Sequence, residues 1–253
     1  MRQMTKVFVL VLVIAAITTA CVVPGKPRLI QGSGRIITED RDVSGFDKIH
    51  VSGVGRIILT QGTKESLSIE TDDNLMEYIK TEVKGDTLEI DFTDDVVLSP
   101  GGRDVLDPSA GFTFRISVIN LEEISVSGAA DIQAEKLKTD RFKINLSGAG
   151  DVNFDDLNAN QLEVVVSGAG NVDLAGKVEN QHIDLSGVGL YQAFDLESRE
   201  ASVIISGASG ANLWVTGSLD VIISGAGDVE YYGSPSVSRN VSGLGRIQSL
   251  GDK

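Results

Sequence analysis

The chain holds one cysteine in 253 residues, so no disulfide can close within it. It has two histidines, His50 and His182, far apart in sequence, which leaves little for a Ser-His-Asp arrangement or a His-rich metal motif. Aromatic residues are scarce: eight Phe, four Tyr and one Trp. Positive charge is scarce too. The 22 Lys and Arg face 36 Asp and Glu, for a net of −14, which argues against nucleic acid and against electrostatic docking to anionic lipid. The N-terminal apolar run, Val7 to Ile17, falls short of the roughly 20 residues a spanning helix needs. The second half offers no ten residues of helical periodicity, which excludes a β-α-β crossover.

What the chain does have is a Ser-Gly beat. Ser127-Gly128, Ser147-Gly148, Ser167-Gly168, Ser186-Gly187, Ser206-Gly207, Ser224-Gly225 and Ser242-Gly243 recur every 18–20 residues, each after an apolar residue. A fixed period of this length marks one supersecondary unit stacked on copies of itself. Five residues after each serine stand Ile132, Val152, Val172, Tyr191, Ala211, Val229 and Ile247; seven after, Ala134, Phe154, Leu174, Ala193, Leu213, Tyr231 and Ser249. Before the next corner come triplets such as Phe142, Ile144, Leu146 and Leu162, Val164, Val166. Alternation on both sides of a corner is the period-2 mark of strands with one buried face. A parallel strand at this period can pair only with its own copy in the next coil. The expected fold is therefore all-β, a parallel β-helix of about 18–20 residues per coil, with glycines at corners that need φ > 0 or room for a neighbouring backbone. A right-handed turn follows the general preference of parallel crossovers.

The N-terminus reads as an export signal: basic Met1 to Lys6, the apolar run, then Thr18-Thr19-Ala20 before Cys21. The position of Cys21 resembles the lipobox of bacterial lipoproteins, with Thr18 where Leu is usual, and makes Cys21 the expected lipidation site. Removal of residues 1–20 leaves 20 Lys and Arg against 36 Asp and Glu, a net of −16. Residues 21–34, with Pro24, Pro27 and Gly32, read as a tether. Residues 35–125 read as a wider, interrupted start of the same solenoid, and 126–253 as its regular coils. Within the irregular part, Val51-Ser52-Gly53 repeats the beat once, Asn74 to Lys80 is an expected short helix capped by Asp72 or Asp73, and Asp94 to Gly111 is an expected loop.

Val43-Ser44-Gly45-Phe46-Asp47-Lys48-Ile49, Val51-Ser52-Gly53-Val54-Gly55, Asp73-Asn74-Leu75 and the Ser-Gly-Ala-Gly corners together resemble the auto-transporter adhesin head domain, also called the head GIN domain, over about residues 35–250. The resemblance implies a right-handed β-helix on a bacterial secreted or surface protein, often lipid-anchored. It brings no catalytic residues.

Three features invite chemistry. The serine ladder reads as scaffolding, with hydroxyls bonding along the stack. Ser-Gly-Ala-Gly-Asp at 147–151 and 224–228 is similar to calcium-binding β-roll repeats, but those recur about every nine residues. The aspartate position also fails to persist: Asp131, Asp151, Asn171, Leu190, Gly210, Asp228, Arg246. No metal or other cofactor is expected. The third feature is position eight after the serine, which faces outward if five and seven face in. Phe194, Trp214 and Tyr232 occupy it on three consecutive coils, giving an expected exposed strip with rings about 4.8 Å apart. Such faces suit sugar rings or a partner's hot spot, or they stack for stability. The expected function is a lipid-anchored surface module for adhesion or ligand binding, facing out of the cytoplasm. A structural envelope spacer is the alternative and a polysaccharide-active enzyme the third reading. Expected partners are the membrane through the lipid, a glycan or surface protein, and further copies of the chain through its open C-terminal end, with no nucleic acid.

Overall fold

The computed structural model describes residues 28–101 and 111–253. The signal segment, Cys21 and the first part of the expected tether lie outside the described residues. The fold grows from one corner repeated. From Ser147 on, the serine and glycine N–H groups at each beat both donate to the carbonyl of the apolar residue before the corner below: Ser147 and Gly148 to Val126 at 2.9 and 3.1 Å, Ser167 and Gly168 to Leu146 at 3.0 and 3.1 Å. The carbonyl of each corner glycine then accepts from the residue after the next glycine, as Gly128 does from Ala149 at 2.9 Å. That carbonyl passes beneath the next glycine. A Cβ on Gly148, Gly168 or Gly187 would lie 1.8–2.0 Å from it. The glycine beat is thus a packing requirement of stacked backbones.

Long parallel strands fan out from these corners: Val152–Val166, Val172–Leu185, Val188–Ile205 and Ala208–Ile223. Their registers pair each residue with its counterpart one repeat on, as in Val152 with Val172 and Val166 with Leu185. Inward positions form aliphatic ladders. One runs Leu88, Ile49, Ile124, Ile144, Val164, Ile183, Val203, Val221. On the last coil, the strand Ser236–Val241, the next rung is Arg239. Arg239, Val241, Gly245 and Ile247 line a cup of about 370 Å³ at that open end.

A polar chain runs through the core of the coils. Tyr191, fully buried, donates from its hydroxyl to Gln181 Oε1 at 2.6 Å; Gln181 Nε2 donates to Ser198 Oγ at 2.7 Å, and Ser198 Oγ to the carbonyl of Trp214 at 3.0 Å. Every link is satisfied, as buried polar groups require. Burial pushes the Tyr191 phenol far above its usual range, so it stays a neutral donor.

The first third is related to the coils but not laid down in order. Lys48–Val51 and Val54–Gln61 flank Ser52-Gly53 and form the first true coil, stacked in parallel under Glu123–Val126 and Ala129–Ala134. Its other side is paired with Thr87–Phe92 and Thr113–Val118. The chain therefore leaves the first coil, builds the layer beyond it, and returns to the near side. Beyond that layer the pairing turns antiparallel: Ser66–Asp72 on Thr113–Val118, Ile36–Arg41 on Ser66–Asp72, and Ile79–Lys84 on Thr87–Phe92. These hairpins cover the N-terminal end of the core.

Three local expectations change. The helix over Asn74 to Lys80 is a single 3-10 turn, Met76–Tyr78, followed directly by the strand Ile79–Lys84, and no side chain caps it. Asp72 is committed elsewhere: its carboxylate accepts from the N–H groups of Gly34 and Gly101 at 2.5 and 3.1 Å. Part of the expected tether and part of the expected loop pair with each other, Arg28–Gln31 running parallel to Val96–Ser99.

Candidate functional site

The three aromatics of position eight meet on one face, but not as a straight ladder. Trp214 pairs in register with Tyr232. Phe194 has no such partner, because the register slips between Ala193 and Glu197 and places Glu197 beside Trp214. Residues 194–196 bulge there, since the next coil is shorter. The bulge carries the Phe194 ring past the Trp214 coil to Tyr232, edge-on with centroids 5.1 Å apart and planes at 64°. All three side chains are half-buried, where an exposed strip was expected.

Part of that cover is a residue the sequence reading passed over. The last residues continue the parallel pairing past Ser249: Leu250 N–H donates to the Tyr231 carbonyl, and Gly233 N–H to the Gly251 carbonyl, both at 2.8 Å. This brings the Lys253 ammonium 4.9 Å from the Trp214 ring centroid and 6.0 Å from that of Tyr232. The same ammonium donates to the Phe194 carbonyl at 2.6 Å and to Asp195 Oδ1 at 2.5 Å. The clue was the 18-residue offset itself, which lays 250–253 over 232–235. The bulge that supplies Phe194 also turns Asp195 outward. Asp173 stands nearby, its carboxyl held above the ordinary value by burial and by the carboxylates of Asp195 and Asp155.

The other candidate chemistry disperses. His50 lies half-buried in Lys48–Val51, and His182 is exposed in Val172–Leu185. The corner aspartates bind backbone of the next coil: Asp131 accepts from Asp151 N–H at 3.2 Å, Asp151 from Asn171 N–H at 2.9 Å, Asn171 from Leu190 N–H at 3.1 Å. Their hydrogen bonds tie coil to coil. Among the described residues, no group of three or more His, Cys, Asp or Glu is placed to hold a metal ion. A side groove of about 560 Å³ is lined by residues that include Lys143, Glu163, His182 and Glu200. Its central Lys143 and Glu163 neutralise each other at 2.9 Å. Among the described residues no helix is long and apolar enough to cross a membrane.

No curated protein matches the chain. Solved structures do. A crystal structure named a "putative adhesin" from Bacteroides fragilis is 30% identical, with a TM-score of 0.82, and the match covers 87% of this chain and all of that one. One from Parabacteroides distasonis named a "putative lipid binding protein" is 23% identical, with a TM-score of 0.70 and coverage of 88% and 100%. A third, a "putative adhesin" from Parabacteroides merdae, is 22% identical, with a TM-score of 0.65 and coverage of 88% and 99%. The last two share the fold. The stacked parallel coils, the Ser-Gly corners and the match of residues 45–235 to the family described as "Putative auto-transporter adhesin, head GIN domain" place the chain in that family.

Proposed function

We propose that this protein is an adhesion or ligand-binding module without catalysis, exported and held to the cell envelope through lipid on Cys21. In this reading a stiff stack of coils presents the Phe194, Trp214 and Tyr232 face to a glycan or surface protein. The convergence of the three rings carries it. A chain with 13 aromatics in 253 residues gathers three of them on one outer face, where the core does not need them. The adhesin names of the family and of the 30%-identical relative support an exported, surface role.

Trp214 is the only tryptophan and reports on the site. Titrating the purified protein with cell-wall and host polysaccharides and surface proteins should change its emission saturably with one ligand class. Trp214→Ala should abolish binding and leave unfolding unchanged. Half-burial of the rings favours a second reading, a spacer in which the cluster only stiffens the end of the stack. In that case no ligand changes the emission and Trp214→Ala lowers stability instead. Mass analysis of the exported protein, with a Cys21→Ser control, tests the anchor.

A further inference from the structure

The Lys253 contacts define a chemistry for the aromatic face. Four groups surround one ammonium: the ring of Trp214 at 4.9 Å, the ring of Tyr232 at 6.0 Å, the Phe194 carbonyl at 2.6 Å and the Asp195 carboxylate at 2.5 Å. An indole face, a phenol ring, a neutral acceptor and an anion together suit an alkylammonium, since the ring quadrupoles and the carboxylate attract the same charge. A neutral sugar can donate a hydroxyl to the carboxylate but brings no positive charge for the carboxylate and the ring faces to attract together. The acidic surroundings add to the preference. Burial raises the Asp173 carboxyl, and so do the nearby carboxylates of Asp195 and Asp155, so negative charge gathers beside the face. The Lys253 side chain retains 30% of its exposure and Asp195 retains 77%, so the seat opens to solvent.

We infer that this face is a receptor for the lysine side chain of a partner protein, and that Lys253 occupies it from within and competes with that partner. The inference rests on the aromatic face being the binding site, and it narrows the ligand to an alkylammonium. The competition follows from tethering. A lysine held on the same chain faces its seat at a local concentration of order millimolar, so a free ligand must displace it. The contacts themselves are of the modest kind expected of exposed cation–π and ion pairs, so displacement is within reach of an ordinary protein ligand. Lys253 is thus a reversible plug.

The test uses Nα-acetyl-lysine amide and its uncharged counterpart Nα-acetyl-norleucine amide, with Trp214 emission as the readout. In Lys253→Ala the lysine compound should produce a saturable change, at a concentration about tenfold lower than in the unaltered protein. The norleucine compound should produce none, and Asp195→Asn added to Lys253→Ala should weaken lysine binding severalfold. Equal response to the two compounds, equal response with and without Lys253, or indifference to Asp195→Asn would each overturn the inference. A Lys253→Ala protein that binds a glycan but not the lysine compound would leave the aromatic face as a binding site and remove only its ammonium specificity. Silence toward every ligand would remove both.

Discussion

The carbonyl oxygen of Gly128 occupies the space that a side chain on Gly148 would need, 1.8 Å from where its Cβ would stand. That carbonyl is held in place by the Ala149 N–H, so it cannot swing away without breaking a bond between coils. Gly148→Ala should therefore destabilise the fold by about 2–4 kcal/mol, a steric cost in the upper range for single substitutions. Ser147→Ala removes a hydroxyl that reaches the Val126 carbonyl at 3.2 Å near the surface, and should cost about 1 kcal/mol or less. Denaturant unfolding of the two variants compares the halves of the beat. Equal effects would refute the packing argument.

Tyr191 and Gln181 replace apolar rungs inside the core, and each needs the other. Tyr191→Phe leaves the Gln181 Oε1 atom buried without its donor and should cost about 1–3 kcal/mol. Adding Gln181→Leu removes the orphaned amide and should recover part of that loss. A thermal-unfolding double-mutant cycle that comes out additive would show that the two groups are not coupled.

Arg239 ends a ladder that is aliphatic at Val203 and Val221. An inward-pointing charge on an edge strand discourages another strand from docking there. Val237 and Val241 beside it are 38% and 42% exposed, so the end is otherwise ready to stack. Arg239→Val should increase concentration-dependent end-to-end assembly, visible by light scattering. A variant that assembles no more than the unaltered protein at high concentration would mean that Arg239 does not oppose stacking.

Asp173 and Asp228 respond to acid with opposite sign. Burial and the carboxylates of Asp195 and Asp155 raise the Asp173 carboxyl, whereas hydrogen bonds from the Arg246 side chain and N–H lower that of Asp228. The folded protein takes a proton at Asp173 before the unfolded chain does, so the unfavourable contribution is present at neutral pH and gone well below 3.8, the ordinary value. The contribution of Asp228 is favourable above 3.8 and is lost as pH falls through its lower folded value. Asp173→Asn should raise the melting temperature at pH 7, by an effect within about 1 kcal/mol, and leave it unchanged near pH 2. Asp228→Asn should lower it at pH 7 and not near pH 2. Shifts that persist into acid would point to packing.

The coils were legible because their rule is local. Apolar residues two apart and a glycine every 18–20 give strands, corners and register at once, and the observed pairs, such as Leu137 with Leu157, follow that spacing. The first third resisted because its pairing is not set by spacing. Nothing near Val51 announces that its partners are Ile90 and Val126. The turn after Asp72 was misjudged because that carboxylate serves Gly34 and Gly101, both distant in sequence. At the site, the three aromatics were found by counting from the serine. Their geometry was not, because the shortening by two residues falls on the third side and makes the bulge that moves Phe194. Lys253 was missed because the short tail was not carried into the next row.

The doubling back of the chain around its first coil sets the order in which the molecule can fold. The later coils need only closures of 18–20 residues, each laid on a finished edge, and a stack of that kind zips quickly once begun. Its starting edge is the strand pair on either side of Gly53, and the first contact upon it, the Glu122 N–H with the Asp47 carbonyl, spans about 75 residues. The slow event is the assembly of that seed. A chain delivered from its N-terminus has to hold the seed open until residue 122 arrives, after which the remaining coils add almost as they emerge.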